Sequence, residues 1–390
     1  MNIGIMTFHW ATNYGAVIQA YALQRYLSKS GYDVSIIDYV PETRRKTIRS
    51  CLRARRPSSI LRNTCEYLKE RRLQKFRSKY FRLSDRYSSY DELKKNPPPC
   101  HVLICGSDQI WHFAFTDRGE HKPTYAYFLD FGKPEVKRIA YAASFGCANY
   151  PQEVFARIAP RISVFNAVSV REQSGVQLAL NAGVRQVSVV PDPTLLLSES
   201  DYNALSTGWD GLNNDNSFFY VLHHNQPVID DIKRYFIKAL SQNVIDSRAY
   251  TNSVMGIEQW LWEIKTAKTV VTNSFHGVVF AIIFKKTFIT TLVEGEFSEM
   301  NDRVYTLLKS VGLENRILEQ YDEDRIQSLL VEGKKIEWDV VEKRVCEMRR
   351  QGYSFLRHSN KTMPVISSAA EKSIQIVPRS GSSCVKAMFC

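Results

Sequence analysis

The sequence lacks several of the short signatures that identify a functional site directly. It contains neither a G-x-G-x-x-G run nor a G-x-x-x-x-G-K-[ST] run, so a dinucleotide site and a P-loop have no support. Its eight cysteines form no C-x-x-C pair, and no histidine cluster stands at metal-ligand spacing. We therefore expect reduced thiols, no structural metal and no resident cofactor.

Long apolar segments are also absent. The longest uninterrupted apolar run is Val278–Phe284, seven residues, whereas a membrane-spanning helix needs about 20. The first residues, Met1–Thr7, lack the basic start and the cleavage site of a signal peptide, and we interpret them as a buried strand. These features predict a cytoplasmic protein. A hydrophobic content of 44% over 390 residues is sufficient for packed cores and suggests two domains.

Acidic residues are scarce in one segment, which accounts for the net charge of the chain. Residues 44–82 contain fifteen Lys and Arg but only two acids, so this segment carries +13 while the whole chain carries +12. The remainder is nearly neutral, which argues against a protein that coats nucleic acid, and we expect no nucleic-acid partner. The second half of the segment predicts a helix over Ile60–Leu83. One stripe of this helix holds Leu61, Cys65, Leu68, Arg72 and Phe76.

Short β-rich runs alternate with helical patterns along most of the chain, which is typical of α/β folds with parallel sheets. The predicted parts are a first domain over 1–197 with a basic helical insert over 44–96, a linker over 198–217, a second domain over 218–357 and a flexible tail over 358–390. Loops that leave the carboxyl ends of parallel strands meet in the cleft between two such domains, so the site is expected there.

One of these loops, Thr272–Gly277, ends a strand and starts a helix. Free N–H groups at the start of a helix bind anions, and an imidazole in the first turn, here His276, can act as an acid or a base near neutral pH. The simpler interpretation is that Ser274 caps the helix and that His276 packs against the other domain. The spacing alone leaves both interpretations open.

Other charged residues stand in similar loops. Arg171 follows a predicted strand and can grip a carboxylate or phosphate, or it can form a surface ion pair with Glu172. Arg303 is a further candidate cation, or else a solvated helix residue. Asp108 can accept a hydrogen bond or a proton from a substrate hydroxyl, or it can cap the segment that follows it. Asp192, between two prolines, is most simply a rigid turn.

Taken together, these loops resemble the polysaccharide pyruvyl transferase family over about residues 1–315. The matching blocks, in order, are Ile3–Thr7 with Asn13–Ala16 and Gln19-Ala20, Gly106–Trp111, Tyr141–Gly146, Ser169–Glu172, Pro191–Thr194 and Thr272–Gly277. The resemblance implies two Rossmann-like domains that face each other across a cleft, as in glycosyltransferases of the B type. It covers neither the basic insert nor the tail with any specificity.

Members of this family transfer the pyruvyl group of phosphoenolpyruvate to a sugar, where it forms a ketal across two hydroxyls. The resemblance places the family's histidine at His276, as the catalytic acid, and a phosphoenolpyruvate-binding arginine at Arg171. A further cationic residue of some members falls near Glu296, which is not basic, so Arg303 is its substitute here. The remaining residues assigned to substrate binding are Asn13, Asp108, Asn273, Ser274 and Gly277.

The resemblance also implies an acceptor, a cell-surface glycan precursor of the capsule or exopolysaccharide kind. Such precursors are commonly built on lipid carriers at the anionic inner face of the plasma membrane, and residues 44–82 are suited to dock there or to bind the carrier's phosphates. The simpler interpretation of that segment is a solvated helix hairpin. The nearest alternative function is a B-type glycosyltransferase that uses a nucleotide sugar, and a nucleic-acid or membrane binder without activity is a third.

Overall fold

The computed structural model describes residues 1–41, 57–116, 124–206, 215–222 and 226–359. Parts of three predicted segments lie outside these ranges, namely residues 44–56 of the basic insert, 207–214 of the linker and 360–390 of the tail. Within the described ranges the chain forms two parallel sheets with helices packed on them.

The first sheet has seven described strands, all of them parallel. They are β1 Asn2–Met6, β2 Asp33–Tyr39, β3 Leu83–Tyr87, β4 Val102–Cys105, β5 Lys137–Ala143, β6 Ala167–Val170 and β7 Val187–Val189. The order β3-β2-β1-β4-β5-β6-β7 reverses direction between β1 and β4, which is where open α/β sheets bind ligands. The helices of this part are α1 Tyr14–Lys29, α2 Pro57–Tyr80, α3 Tyr90–Lys95, α4 Phe113–Thr116, α5 Gln152–Ile162, α6 Ser174–Asn181 and α7 Glu199–Asn203.

The second sheet has four described strands, also parallel, in the order β11-β10-β8-β9. They are β8 Ser217–Tyr220, β9 Val244–Asp246, β10 Thr269–Thr272 and β11 Phe288–Thr290. Its helices are α8 Pro227–Lys238, α9 Ile257–Thr266, α10 Phe275–Ile283, α11 Asp302–Val311, α12 Glu323–Gly333 and α13 Trp338–His358. The predicted fold class, α/β with two Rossmann-like domains that face each other across a cleft, is confirmed.

Local sequence explains the two helices that carry the site. The side chain of Asn13 accepts a hydrogen bond of 3.2 Å from the backbone N–H of Ala16 and caps α1. The hydroxyl of Ser274 accepts one of 3.4 Å from the N–H of Gly277 and caps α10 in the same way. All residues of α10 are buried, so this helix is apolar on every side and is enclosed by the domain.

A shared apolar core joins the two domains along α1 and α9. Tyr14 of α1 stacks on Trp260 of α9 with ring centroids 5.3 Å apart. The hydroxyl of Tyr14 also donates a hydrogen bond of 3.0 Å to the backbone oxygen of Met255. The same core includes Leu73 and Phe76 of α2. Because Leu73 and Phe76 anchor the C-terminal half of α2 in this interface, the described part of the basic insert is not a separate hairpin, although the first half of α2 is largely exposed.

The stripe predicted on the basic helix is buried only near the helix's C-terminal end. The helix runs from Pro57 to Tyr80, whereas the spacing predicted Ile60–Leu83. Leu61 and Leu68 are 46% and 47% exposed, and Phe76 is 1% exposed. The leucines in the first half of α2 lie outside the core, so apolar spacing alone predicted a longer buried face than the structure has.

The last described helix, α13, returns to the first domain. The hydroxyl of Tyr353 donates a hydrogen bond of 2.8 Å to the backbone oxygen of Leu196, and Leu356 packs in the core cluster that contains Ile3 and Ile5. The expectation for 218–357 did not include this return, because apolar periodicity shows that a helix has a buried face but not which sheet covers it. No helix in the described ranges has the length and apolar character needed to cross a bilayer.

We predict that Leu356→Ala weakens the attachment of α13 and lowers the free energy of unfolding by about 2–5 kcal/mol, because a buried side chain leaves a cavity. Urea unfolding followed by circular dichroism measures the loss. Val340→Ala on the same helix is the control, since Val340 is 40% exposed and its truncation costs less than about 0.5 kcal/mol. Equal losses in the two variants would contradict the packing described for α13.

Candidate active site

Loops from both domains meet at the carboxyl ends of the strands. Ser107 and Asp108 follow β4, Arg171 follows β6, and Asp192 lies just beyond β7. From the other domain, His276 lies in the first turn of α10, which follows β10. The structure therefore brings Arg171, Asp108 and His276, which are far apart in the sequence, into one region.

The carboxylate of Asp192 lies at the centre of this region. Its Oδ2 accepts hydrogen bonds from Ser107 Oγ at 2.7 Å and from Arg171 Nη1 at 3.0 Å, and His276 Nε2 lies 3.7 Å away. Its Oδ1 accepts bonds from the backbone N–H of Thr194 at 3.0 Å and from its hydroxyl at 2.7 Å. The Asp192 side chain is fully buried, so these neighbours replace the water that would otherwise solvate the carboxylate.

Asp192 and Arg171 both stay charged although they are buried. Burial raises the pKa of Asp192, but the facing imidazole of His276, the guanidinium of Arg171 and the Thr194 hydroxyl outweigh it and hold that pKa well below its usual range. Burial lowers the pKa of Arg171, and the carboxylates of Asp192 and Glu172 reverse this and raise it. The surface ion pair considered for Arg171 is thus replaced by a buried one, and loss of either partner would leave an uncompensated charge.

The imidazole of His276 packs against the start of α1. A Cβ atom built on Gly15 would overlap the imidazole ring, so the ring rests directly on the glycine backbone. His276 is only 6% exposed, yet it lines the large cleft between the domains. The simpler interpretation of this loop is therefore correct in both parts, because Ser274 caps α10 and His276 packs against the other domain. Since His276 also lines the cleft, its role as an acid or a base stays a prediction.

Two guanidinium groups lie beside the ring of Phe275. The Cζ atom of Arg171 is 4.6 Å from the ring centroid and that of Arg303 is 5.8 Å from it. Burial and the like charge of Arg171 lower the pKa of Arg303 to about 10. Nε of Arg303 and both Nε and Nη2 of Arg171 are buried and make no hydrogen bond with any residue that the structure describes. Nε of Arg171 still faces the carboxylate of Glu172 at 3.6 Å, so the donors without a partner are Nε of Arg303 and Nη2 of Arg171. Such donors are suited to an anion.

A cleft of about 1030 Å³ opens in front of this cluster. Among the predicted residues, it is lined by Asn13, Asp108, Ser274, His276 and Arg303. Arg171 and Asp192 lie behind them and line a separate cavity of about 50 Å³, which Arg303 also borders. Arg303 therefore connects the open cleft to the buried ion pair, and it is not the solvated helix residue that its sequence position allowed.

Three of the predicted substrate-binding residues, Asn273, Gly277 and Asp108, differ in whether they line the cleft. Oδ1 of Asn273 accepts a hydrogen bond of 2.7 Å from the backbone N–H of Leu222, and Nδ2 donates one of 2.9 Å to the backbone oxygen of Leu222. Asn273 does not line the cleft. Gly277 does not line it either, and a Cβ there would overlap Thr272. Asp108 faces the cleft with φ at +76°, a conformation that costs a non-glycine residue about 1–3 kcal/mol and is common at functional sites.

Three contributors to the region were missed by sequence reasoning. The interpretation of Asp192 as a rigid turn was incomplete, because Asp192 also holds Arg171, and its position just after β7 was the available signal. Gly15 lies in the matching block Asn13–Ala16, but its contact with His276 was not predicted, because it joins distant segments. The cleft-facing side of α2 gave no local signal for the same reason. Within the described ranges, no group of three His, Cys, Asp or Glu side chains is placed to hold a metal ion.

Comparisons with known proteins give one family and several structures. The family model of the polysaccharide pyruvyl transferases matches residues 13–293. No curated protein sequence matches the chain. Similar solved structures include UDP-GlcNAc 2-epimerase from Methanocaldococcus jannaschii, 13% identical with a TM-score of 0.46, covering 87% of this chain and 93% of that chain. UDP-GlcNAc 2-epimerase from Neisseria meningitidis bound to UDP-GlcNAc is 9% identical with a TM-score of 0.49, covering 92% and 100%. UGT89C1 of Arabidopsis thaliana complexed with UDP-L-rhamnose is 8% identical with a TM-score of 0.49, covering 92% and 98%.

We predict that Arg303→Met stabilises the unliganded protein by about 1 kcal/mol, because it removes a buried like charge beside Arg171. We expect inorganic phosphate to raise the melting temperature of the wild type but not that of Arg303→Met, because a ligand stabilises only a protein that binds it. Thermal unfolding with and without phosphate measures both effects. The control is Arg350→Met, whose guanidinium is 58% exposed on α13 and which should change neither quantity. A phosphate response retained by Arg303→Met would contradict the anion site.

Proposed function

The chain belongs to the polysaccharide pyruvyl transferase family and is a transferase, and from that premise we propose that it moves the pyruvyl group of phosphoenolpyruvate onto a sugar of a cell-surface glycan precursor. The product is a ketal that bridges two hydroxyls of that sugar. The observation that carries this proposal is the guanidinium of Arg303, which lines the cleft with His276 and whose buried Nε makes no hydrogen bond with any residue that the structure describes.

The donor's charges match the groups in this region. Phosphoenolpyruvate carries a carboxylate and a phosphate on adjacent positions, and two anionic groups require cations and backbone N–H groups. In our proposal the donor lies on Arg303 and on the first turn of α10, whose N–H groups and helix dipole favour negative charge. Arg171, behind Arg303, holds its loop in place through Asp192 and Glu172, which offset its charge. No metal or other cofactor is part of this proposal.

The reaction begins with a proton. Protonated His276 gives its proton to the methylene carbon of the donor, and the π electrons of the C=C bond form the new C–H bond. The C–C single bond remains, and positive charge develops on the carbon that bears the phosphate. A sugar hydroxyl attacks that carbon and loses its proton. The C–O bond to phosphate then breaks, phosphate leaves with the bonding electrons, and a second hydroxyl closes the ketal with loss of its own proton.

Two carboxylates support these steps in the proposal. Asp192, 3.7 Å from His276 Nε2, offsets the cost of burying an imidazolium and orients the ring. Asp108 faces the same cleft and accepts the proton of the attacking hydroxyl. The two carboxylates thus have different roles, because Asp192 is fully buried and engaged by its neighbours, while Asp108 borders the cleft.

The place of the reaction in the cell is also a proposal. We propose that the acceptor is a lipid-linked precursor of a capsular or exopolysaccharide glycan at the cytoplasmic face of the plasma membrane. The outward side of the basic helix supports this, since Leu61 and Leu68 are exposed there and the exposed Arg62 follows Leu61. Basic helices with exposed apolar residues associate with anionic lipid surfaces.

We predict that His276→Gln lowers the rate of pyruvyl transfer by about 10²–10⁴-fold, the usual contribution of a general acid. The assay incubates the protein with phosphoenolpyruvate and lipid-linked glycans and follows phosphate release together with the mass gain of one pyruvyl ketal. His358→Gln, which changes an exposed histidine of α13, is the control and should leave the rate unchanged. Full activity in His276→Gln would remove His276 from the mechanism. Arg171→Ala is a poorer test, because it also leaves Asp192 buried without its partner.

We also predict that Gly15→Ala lowers the same rate by about 100-fold, because the added methyl group displaces the imidazole of His276 and a shift near 1 Å is enough for such a loss. The matched control is Gly256→Ala, where an added Cβ meets its nearest side-chain atom at 3.4 Å, an ordinary contact. Both variants should keep the melting temperature within a few degrees of the wild type. Equal rates for the two would show that the contact with Gly15 does not position His276.

A further inference from the structure

The interdomain cleft is much larger than the proposed donor requires. Its volume of about 1030 Å³ lies at the upper end of the range of about 300–1,000 Å³ for sites that enclose a whole drug-sized ligand. The groups proposed to hold phosphoenolpyruvate, around Arg303 and His276, line only a part of it. The rest of the cleft is therefore available to a second, larger ligand.

Helix α2 forms one wall of this remaining space. Its cleft-lining side chains include Tyr67, Glu70, Arg71, Gln74, Arg77 and Ser78. Their separations of three and four residues place them on one side of the helix. At 1.5 Å per residue, the row from the first to the last is about 17 Å long. A polar row of this length suits an elongated ligand better than a compact one.

Two members of the row are held in place before any ligand binds. Arg77 forms an ion pair with Glu70, and its Nη1 lies 3.4 Å from the backbone oxygen of His9. The hydroxyl of Thr12 donates a hydrogen bond of 2.7 Å to Glu70. Arg77 is only 8% exposed, so this pair is supported by the body of the first domain. A fixed carboxylate next to a fixed guanidinium offers an acceptor and a donor to adjacent hydroxyls.

Three other members of the row are free to bind a ligand. Tyr67, Arg71 and Gln74 make no hydrogen bond or ion pair with any residue that the structure describes. The indole of Trp10 lines the same cleft. Aromatic rings provide an apolar surface with a polar edge, and the amide and guanidinium provide several donors. Sugars present the complementary pattern, since each ring has an apolar C–H face and a rim of hydroxyls.

This wall is close to the reacting groups. Thr12, which contacts Glu70, is three residues before Gly15, on which the His276 ring rests. Three residues span at most about 10 Å, so one part of the row lies near the imidazole while the other members extend away from it.

We propose that the cleft-facing side of α2 is the acceptor subsite and that it binds an oligosaccharide of several sugar units rather than a single sugar. The sugar that is modified lies next to His276, and the neighbouring units lie along Tyr67, Arg71 and Gln74. This inference rests on the proposed function, because it assigns the second substrate of the same reaction. It gives the described part of the basic helix a role inside the cleft.

The test is binding of the fluorescently labelled wild-type chain to an array of cell-surface oligosaccharides that range from monosaccharides to hexasaccharides. Affinity should rise with length up to at least a trisaccharide. Tyr67→Ala and Arg71→Ala should each weaken binding to the preferred oligosaccharide by about tenfold, which corresponds to the loss of one good contact. Lys75→Ala removes a cation from the same helix but outside the cleft lining, and it should bind like the wild type.

Several results would overturn the proposal. They are the absence of any glycan binding, equal affinity for monosaccharides and longer glycans, or unchanged binding in both cleft-facing variants. Binding of the wild type to vesicles with anionic lipid that is lost in Arg71→Ala, with no effect on glycans, would assign this face to a membrane instead. Thermal-shift measurements should show that Tyr67→Ala and Arg71→Ala bind phosphoenolpyruvate like the wild type. A wild type that does not bind phosphoenolpyruvate would count against the proposed function alone, because the glycan array does not depend on the donor.

Discussion

The arrangement of the functional loops depends on the buried ion pair between Asp192 and Arg171. The carboxylate also binds Ser107, so the loops that follow β4, β6 and β7 are fixed relative to one another. The imidazole of His276 faces the same oxygen from the second domain. Arg303 adds a further buried cation whose pKa is depressed. Asp192 and Glu172 offset the charge of Arg171, whereas Arg303 forms no ion pair with any residue that the structure describes. Arg303 therefore gives the region its preference for an anionic ligand.

Contacts between the domains set the width of the cleft. Tyr14 and Trp260 stack across the interface, and Gly15 gives His276 the space it occupies. Helix α2 shares this interface through Leu73 and Phe76, so its other side is presented to the cleft. The basic segment, which raises the net charge of the chain so strongly, therefore contributes to the cleft wall as well as to the outer surface.

Local pattern was sufficient for much of this structure. Strand–loop–helix alternation predicted both parallel sheets, and loops at the strand ends pointed to Arg171 and His276, because the carboxyl ends of parallel strands share one edge. Asp192 was interpreted only as a turn, since its partner Arg171 lies in another loop and the pairing is not visible in local sequence. The return of α13 to the first sheet and the exposure of the leucines of α2 were not predicted, for the same reason. Apolar periodicity shows which face of a helix is apolar, but it does not show which element packs against that face.

In the proposed function, the region around Arg303 and His276 binds phosphoenolpyruvate as the donor. The most direct test is a thermal-shift titration of the wild-type chain with phosphoenolpyruvate and, in parallel, with UDP-GlcNAc, since a ligand raises the melting temperature of the protein that binds it. We expect a saturable rise with phosphoenolpyruvate and none with the nucleotide sugar. A rise with UDP-GlcNAc and none with phosphoenolpyruvate would contradict the proposed donor and would favour a glycosyltransferase.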